Sequence, residues 1–309
     1  GLRRPGEAPR YLLSGGRGAV FSAEDPLAAT RLIVAADLDD KGREATIRLA
    51  ARLEEAVLRE VHGYRIAWVE RAEWSRRSRR VEARSREMFG ALALDDRLWR
   101  DAPAEALAAA LAEGIRERGI ATLAFSPAAQ SLRARIAWLR AREGHSTLDG
   151  LPDWSDAALL KSLDDWLTPY LAGMTRIEDI ASLDLAAILK ARLDPTHLAE
   201  IERAAPAHLI TPLGERARID YDADIPTLRV RVQEVFGLDT HPTVGVPPVA
   251  LKIELLSPAR RPVQTTRDLP GFWHSSYRDV AKDMRARYPR HPWPDDPLAA
   301  FPTRRTKPR

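Results

Sequence analysis

The apolar pattern of this 309-residue chain changes twice, and that change limits the possible folds more than any other feature. Short runs of strand character fill residues 1–99, apolar residues at helical spacing fill 101–204, and strand character returns after 205. Strands and helices segregated in this way are typical of α+β chains, because α/β folds alternate the two types of element. The sequence therefore predicts an α+β fold with domains at 1–100, 101–204 and 205–309.

The first zone predicts a small antiparallel barrel with a long hairpin. Gly and Pro separate its short strand-like runs, which are Tyr11–Leu13, Gly18–Phe21, Leu32–Leu38 and Ala45–Leu49. A short helix is expected at Leu53–Val61. Two longer runs, Tyr64–Trp74 and Arg80–Leu94, then face each other across a turn. This order indicates antiparallel β structure and suits an OB-like β-barrel with an elaborated edge.

The second arm of the hairpin is rich in arginine at alternate positions. Its charges alternate with small or apolar residues, a period of two that places Arg80, Glu82, Arg84 and Arg86 on one strand face. We predict that Arg84 and Arg86 contact nucleic acid. Arg17, at the tip of an SGGRG turn, is a further candidate. A plain hairpin turn explains Arg17 slightly better, because a turn between strands lacks the helix N-terminus of a phosphate cradle.

The middle zone predicts a helical subdomain whose helices have readable starts. Ser or Asp before a helical run is the usual N-cap signal, proline is favoured next, and glycine stops a helix. These signals give helices from Pro103 to Gly119, Ser126–Pro127 to Gly144, Ser155 to Trp166 and Asp194–Pro195 to Ala204. The stretch Glu143–Pro152, rich in Gly, Ser, Thr and Asp, is the best candidate for a linker.

The last zone predicts three strands followed by one amphipathic helix, together a C-terminal α/β domain. The strands are Arg218–Tyr221, Thr227–Val232 and Ala250–Leu256. An apolar stripe then recurs at steps of 4, 3, 4 and 4 through Trp273, Tyr277, Val280, Met284 and Tyr288. We predict that this stripe is buried core rather than a platform on which bases stack.

The other side of that helix holds the strongest candidates for phosphate binding. Arg278, Lys282 and Arg285 are spaced by 4 and 3 residues, so they share one helical face. Arg267 lies shortly before the helix, and Arg290 lies just after it. We predict that these five cations bind nucleic acid.

The prolines at 289, 292, 294 and 297 exclude a regular helix or an interior strand in this segment. We predict that this segment folds back on the domain with Trp293 as a buried anchor, since large apolar rings are usually buried. The alternative is a nucleic-acid contact made by Arg290, His291 and Trp293. The predicted disordered basic tail, which can still touch phosphate, contains Arg304, Arg305, Lys307 and Arg309.

The positive charge of the chain is concentrated at this end. From Ser257 onwards there are 12 Lys and Arg residues and 5 Asp and Glu residues. Since the whole chain has 48 Lys and Arg and 44 Asp and Glu, the rest of the chain has 36 basic and 39 acidic residues. The last segment is therefore +7 and the rest is −3. Cations interleaved with Trp, Tyr and His are typical of a surface that meets a polyanion, because phosphate attracts charge and bases stack on rings. A solvated basic face with its aromatics in the core is the alternative.

Three motifs near the C-terminus carry a resemblance to a known family. They are LLSPARRPVQTTRDLPGFW at Leu255–Trp273, RYPRHPWPDDP at Arg287–Pro297 and PTRRTK at Pro302–Lys307. This run resembles the C-terminal end of bacterial HrpB-type ATP-dependent helicases of the DEAH-box class. Looser similarity extends through Ala205–Gly237, Trp166–Gly173 and Arg10–Ala28.

The resemblance implies an OB-type barrel in the first zone and a whole protein that couples ATP hydrolysis to movement on RNA. The chain departs from the family because it has no GxxxxGK[ST] phosphate loop, no DEAH box and no Ser-Ala-Thr signature. It begins at Gly1 without methionine, so we expect a C-terminal piece of a longer protein. We expect no cofactor in this piece, with ATP and magnesium in the missing motor domains of the same polypeptide.

Patterns for catalysis and metal binding are missing from the sequence. The seven histidines form no HExxH motif, no serine lies in a GxSxG elbow, and there are no cysteines. Asp clusters at 37–40 and 220–224 fall at strand ends beside Gly or Pro. At such positions Asp stabilises a turn more often than it binds magnesium. We therefore predict no catalytic residue and no metal site. With no run approaching the ~20 apolar residues of a membrane helix and no signal peptide, we predict a cytoplasmic location without a membrane partner.

Together these features predict an accessory region that binds nucleic acid, expected to be single-stranded RNA, through basic surfaces beside the motor. The alternative is a protein-protein interaction module, in which the helical zone or the Pro-rich end binds a protein partner. The sequence leaves the choice between RNA and DNA open. The salt dependence of binding separates the two functions, because phosphate contacts release counterions in proportion to their number.

Overall fold

The computed structural model describes residues 1–39, 42–142 and 150–306. The chain forms two compact units, one of Gly1–Glu117 with Thr168–Ile180 and one of Arg118–Leu167 with Ala181–Arg309. Both units contain strands and helices, so the predicted α+β class is confirmed. The predicted helical zone contributes to both units, so the three predicted domains do not coincide with them and their boundaries stay predictions. No helix among the described residues is long and apolar enough to span a bilayer.

The first unit begins with a curled five-stranded sheet. Its strands are β1 (Leu2–Arg3), β2 (Arg10–Leu12), β3 (Gly18–Val20), β4 (Ile33–Asp39) and β5 (Ala45–Arg52). They lie in the order β1-β2-β3-β5-β4, with β3 and β5 parallel. The two edges meet, because the Gly1 amine donates to Ile33 O at 2.6 Å and Ile33 N donates to Gly1 O at 3.0 Å. Tyr11 is fully buried inside the curl, and its hydroxyl donates to Thr30 O at 2.6 Å.

A three-stranded sheet follows the short helix α1 (Glu55–His62). Its strands are β6 (Ile66–Ser75), β7 (Arg80–Phe89) and β8 (Leu92–Leu98), in that order. The predicted single arm Arg80–Leu94 is therefore wrong, because the chain turns at Gly90, where φ is +56°. A Cβ at Gly90 would lie 2.4 Å from Ser14 O, so this turn requires glycine. The apolar alternation continues through Leu92 and Leu94, which concealed the turn in the sequence.

Helix α2 (Ala104–Arg118) packs on the hairpin of β6 and β7. The indole of Trp74 lies against Gly114, where a Cβ would come within 2.4 Å of the ring. Trp74 pairs with Val81 across the hairpin, so both side chains share the strand face that α2 covers. Glycine in the middle of this helix therefore serves close packing rather than flexibility.

Helices α3 (Pro127–Arg140), α4 (Asp156–Lys161) and α7 (Pro195–Ala204) of the second unit begin where their N-caps predict. This unit also contains α5 (Leu163–Trp166) and α6 (Leu185–Lys190). Ser126 Oγ accepts from Ala129 N at 3.2 Å, and the predicted caps Ser155 and Asp194 also accept from backbone N–H groups. The predicted helix from Ser155 to Trp166 is divided at Ser162. Helix α3 ends at Arg140, and the predicted stop at Gly144 lies outside the described residues, as does most of the predicted linker.

A buried arginine joins two of these helices. Arg135 on α3 is 4% exposed, and its guanidinium donates to Ala205 O, to Ile201 O and to the carboxylate of Glu202. These acceptors lie at the C-terminal end of α7, where Ile201 O also accepts from Ala205 N and the last carbonyl groups lack partners within the helix. Arg135 therefore caps α7 from a neighbouring helix.

A second five-stranded sheet forms the centre of residues 205–306. Its strands are β9 (His208–Ile210), β10 (Arg216–Asp220), β11 (Thr227–Arg231), β14 (Lys252–Leu256) and β15 (Pro262–Thr266), with a separate pair β12 (Thr243–Val244) and β13 (Val249–Ala250). The order is β15-β14-β11-β10-β9, and β11 and β14 are parallel. The sheet is followed by α8 (Leu269–His274) and α9 (Tyr277–Arg287).

The predicted apolar stripe is core, but it lies on two helices instead of one. Trp273 on α8 and Tyr277 and Met284 on α9 are buried, as predicted. The chain bends at Ser275, whose hydroxyl donates to Gly271 O and competes with continuation of the helix. The spacing of the stripe survives the bend, so the sequence pattern did not reveal it.

The Pro-rich segment folds back on the second unit as predicted. Trp293 is 4% exposed, and its Nε1–H donates to Tyr288 O at 3.3 Å. Tyr277 Oη donates to Pro294 O at 2.9 Å. The end of the chain differs from the predicted disordered tail, because Arg304 Nε donates to Glu234 Oε1 at 2.6 Å. Lys307 and Arg309 lie outside the described residues.

Candidate nucleic-acid interface

The strand register gathers arginines on one face of the hairpin. Arg84 on β7 lies opposite Arg71 on β6, and Arg86 lies opposite Val69. Residues paired across two strands lie on the same face of the sheet, and so do residues two apart along one strand. Arg71, Arg84 and Arg86 therefore point to the same side. The register thus places Arg84 and Arg86 on one face, together with Arg71, which was not predicted although it occupies an alternate position of the first arm.

Carboxylates accompany these arginines. Arg84 Nε donates to Asp96 Oδ1 at 2.8 Å, and Arg86 Nε lies 3.4 Å from Asp96 Oδ2. The bond from Arg84 lowers the pKa of the Asp96 carboxyl, and the same bond raises the pKa of Arg84. The shared hollow of about 210 Å³ is lined by Arg71, Glu73, Trp74, Ser75, Glu82, Arg84 and Arg86. Phosphate binding here would have to compete with acidic neighbours.

Arg17 lies in the turn between β2 and β3, as its sequence context predicts. Its Nη2 donates to Gly42 O at 3.0 Å, which ties the turn to the segment before β5. The side chain therefore has a structural contact that the sequence did not indicate.

Two cations of the last helix have no acidic partner among the described residues. Arg278 and Lys282 are exposed on α9 and lie one helical turn apart, where side chains are neighbours. Arg267 and Arg290 are also exposed. None of these four cations lies within 4 Å of a carboxylate among the described residues. Asp279 and Asp283 lie on the same helix, one position beyond Arg278 and Lys282.

Arg285 does not join this cationic face as predicted. Its Nε and Nη2 donate to Trp293 O at 3.0 and 2.6 Å, and Nη2 also donates to Asp295 Oδ1. The guanidinium therefore holds the returning Pro-rich segment on α9. Sequence spacing could not reveal this role, because the acceptors are 8 and 10 residues away in a segment without regular structure.

No group of three or more His, Asp or Glu side chains within residues 1–39, 42–142 and 150–306 is arranged to hold a metal ion. The Asp-rich segment at 220–224 is a turn as predicted, with Asp222 N donating to Asp220 Oδ1 at 3.0 Å. Asp39 pairs with Arg48, and Asp40 lies outside the described residues.

Residues 166–297 match the HrpB_C family, described as ATP-dependent helicase C-terminal. This chain matches the C-terminal region of HrpB-type helicases. The ATP-dependent RNA helicase HrpB of Escherichia coli (strain K12) is 36% identical over 308 residues, which are 99% of this chain and 38% of that protein. The resemblance that the C-terminal motifs carry is therefore confirmed.

Two solved HrpB structures have the same fold over almost the whole chain. The crystal structure of the E. coli DExH-box NTPase HrpB superimposes with a TM-score of 0.61 at 35% identity, and covers 98% of this chain and 38% of that one. The crystal structure of the Escherichia coli DEAH/RHA helicase HrpB gives 0.54 at 31% identity, with 94% and 36% covered. The chain thus spans somewhat over a third of the HrpB proteins it matches.

Proposed function

We propose that this chain binds single-stranded RNA beside the motor of an HrpB-type ATP-dependent RNA helicase. The observation that carries the proposal is the pair Arg278 and Lys282, which are exposed and lie apart from any described carboxylate. The helix that bears them is fixed by its buried residues Tyr277 and Met284, so the two cations are presented at a defined spacing. Ordered cations bind phosphate with less loss of side-chain entropy than a flexible tail does.

The hairpin face and the first sheet supply additional contacts under this proposal. The strand order β1-β2-β3-β5-β4, with Gly1 and Ile33 joining its edges, supports an OB-like barrel. OB folds bind oligonucleotides on the face of strands 2 and 3, and Arg17 lies in the turn that joins β2 and β3. Arg84 and Arg86 would contact phosphate only by exchanging Asp96 for it. We therefore expect weaker contributions from the hairpin than from α9.

The motor domains of the same polypeptide are the proposed partner, and ATP and magnesium are proposed to bind there. The 309-residue chain is proposed to hold neither. The HrpB protein of E. coli is described as an ATP-dependent RNA helicase, and coupled movement on RNA is proposed for the whole protein on that similarity. A cytoplasmic location stays a prediction.

Removing the two cations of α9 tests the proposal. The double variant Arg278→Gln with Lys282→Gln should bind fluorescein-labelled single-stranded RNA more weakly in an anisotropy titration, and equally so for every RNA sequence, because phosphate contacts carry no base information. Lys190→Gln with Arg203→Gln is the matched control, since it removes the same charge from other helices of this unit. Equal affinity of the two double variants would contradict the proposal.

A second function, protein-protein interaction, is favoured by one observation. The side chains of Val34, Val57 and Val61 are 50%, 47% and 56% exposed beside a largely apolar hollow of about 440 Å³ in the first unit. Exposed apolar patches rimmed by polar residues often mark interaction sites. If the α9 variants leave RNA binding unchanged, this apolar face becomes the better candidate for function, and Val57→Asp with Val61→Asp should then abolish partner binding.

A further inference from the structure

The carboxyl ends of two parallel strands meet at one end of the second sheet. Arg231, the last residue of β11, is in register with Leu256, the last residue of β14. A 3-10 turn, Val232–Glu234, follows β11, and the buried Ser257 follows β14. In sheets with parallel strands, ligands commonly bind beyond such carboxyl ends.

The Pro-rich segment brings further polar groups to this place. Tyr288 Oη lies 3.5 Å from Ser257 Oγ, which fixes the start of the segment at the end of β14. The rings of Tyr288 and His291 are 6.2 Å apart, and His291 N donates to Tyr288 O. The imidazole therefore lies at the same end of the sheet, with the exposed Arg290 next to it in the chain.

Two buried donors at this end have no acceptor. The Nε–H of Arg231 and the amide nitrogen of Gln233 are both buried and lack a hydrogen-bond partner among the described residues. Buried polar groups in folded proteins are nearly always paired, so these two neighbouring donors point to an acceptor that the described residues do not supply. Oxygen atoms of an anion would supply it.

The Glu234 carboxylate at this end of the sheet is shared between two arginines. Glu234 Oε1 accepts from Arg304 Nε at 2.6 Å, whereas it lies 3.9 Å from Arg231 Nη1. Arg304 in turn lies 3.4 Å from Glu215 Oε1, so the acidic groups at this end are bound to the C-terminal segment. Arg231 therefore has only a distant share of the Glu234 carboxylate, at 3.9 Å, although its side chain is only 24% exposed.

The charged groups that act on His291 are also positive. Burial, and then the positive charges of Arg231 and Arg290, lower the pKa of the imidazole. Two guanidinium groups therefore act on one half-buried ring. An anion bound between them would reduce this repulsion and satisfy the free donors.

We propose that Arg231, Arg290 and His291 bind a phosphate group at the carboxyl ends of β11 and β14. The phosphate is either a free anion or part of an RNA backbone. Only the RNA source rests on the proposed function, because a free phosphate would occupy the site whether or not the chain binds RNA.

Titration of the 309-residue chain with inorganic phosphate tests the site directly. The Nε–H resonance of Arg231, observed by NMR and assigned by its loss in Arg231→Gln, should shift and saturate with phosphate but not with chloride at equal ionic strength. The affinity, followed at His291, should fall about tenfold or more in Arg231→Gln, since a charge-assisted hydrogen bond is lost. The matched control is Arg229→Gln, because this arginine lies on the same strand but pairs with Glu254. The control should keep the parent affinity within about twofold.

Arg290→Gln is a second variant that is not expected to affect folding, because this side chain is exposed and takes part in no ion pair of the described residues. It should weaken phosphate binding while the melting temperature stays unchanged. The phosphate titration is then repeated in the presence of saturating single-stranded RNA. Loss of the phosphate-induced shift identifies an RNA backbone as the natural source of the phosphate, and an unchanged shift identifies a free anion. If phosphate shifts no resonance beyond the chloride control, or if Arg231→Gln and Arg229→Gln bind phosphate equally, the donors are satisfied by water and the site does not exist. RNA binding that depends on Arg278 and Lys282 would still stand in that case.

Discussion

Replacing Trp273 by alanine tests whether the aromatic residues of the last two helices form core. The indole is 4% exposed, its Nε1–H donates to Leu238 O at 2.9 Å, and its ring lies 4.9 Å from that of Phe272 and 5.4 Å from that of Tyr277. Trp-to-Ala changes at buried positions cost about 3–5 kcal/mol, because buried apolar area is lost and a cavity remains. The carbonyl of Leu238 also loses its donor, which places the expected cost near 4–5 kcal/mol.

Urea unfolding followed by circular dichroism measures this cost as a change in midpoint at constant m-value. Trp273→Phe should cost less, about 2 kcal/mol, because it keeps an aromatic ring and loses mainly the hydrogen bond. Trp68→Ala is the control, since that ring is 44% exposed and the Arg97 guanidinium lies over it, 4.5 Å from the ring centre. It should cost no more than about 1 kcal/mol. A Trp273→Ala chain that unfolds like the parent but loses RNA affinity would refute the core assignment and make Trp273 a stacking residue.

Three further changes test packing and electrostatics. Arg135→Ala should lower the free energy of unfolding by about 3 kcal/mol, since hydrogen bonds to charged groups are worth about 1.5–3 kcal/mol each; a loss below 1 kcal/mol in urea would contradict its capping role. Gly114→Ala should destabilise by about 1–3 kcal/mol although alanine is the better helix former, and Trp74→Leu in the same chain should restore stability in thermal unfolding. Burial lowers the pKa of His208 and of His291 in the folded state below the unfolded value of about 6.5. As the pH drops below about 6.5, the unfolded state therefore binds protons first, and the stability of the folded state should fall. His208→Gln with His291→Gln should flatten the pH dependence of the melting temperature between about pH 6.5 and 5, and an unchanged slope would count against burial as its cause.

Local signals predicted the ends of elements well where one side chain decides the geometry. Ser126, Ser155 and Asp194 each begin a helix because a short polar side chain accepts from the first backbone N–H groups, which is a property of a few adjacent residues. The burial of Trp273 and Trp293 followed in the same way from their size and apolar spacing.

Breaks that preserve periodicity were not predictable. The turn at Gly90 depends on the close approach of Ser14, more than 70 residues earlier in the chain, and the apolar alternation continues across it. The bend at Ser275 likewise leaves the spacing of the apolar stripe intact. A pattern reports which residues face the core, but it does not report whether the backbone between them is continuous.

The candidate site was predictable only in part. Exposure of Arg278 and Lys282 follows from the amphipathic pattern of α9. The contacts that occupy Arg285 and Arg304, and the place where Arg231 meets the Pro-rich segment, depend on how that segment returns to the domain. Such long-range contacts between irregular segments leave no periodic signal in the sequence.

The salt dependence of RNA affinity tests the central claim most directly. Affinity for a single strand should fall with salt, with a slope of log K against log[salt] of about −0.7 for each phosphate contact. Removal of Arg278 and Lys282 should reduce the slope by about 1.4, while exposed charges of this kind change stability by no more than about 0.5 kcal/mol each. A parent chain whose affinity is independent of salt, or a folded double variant with the parent slope, would contradict phosphate binding by α9.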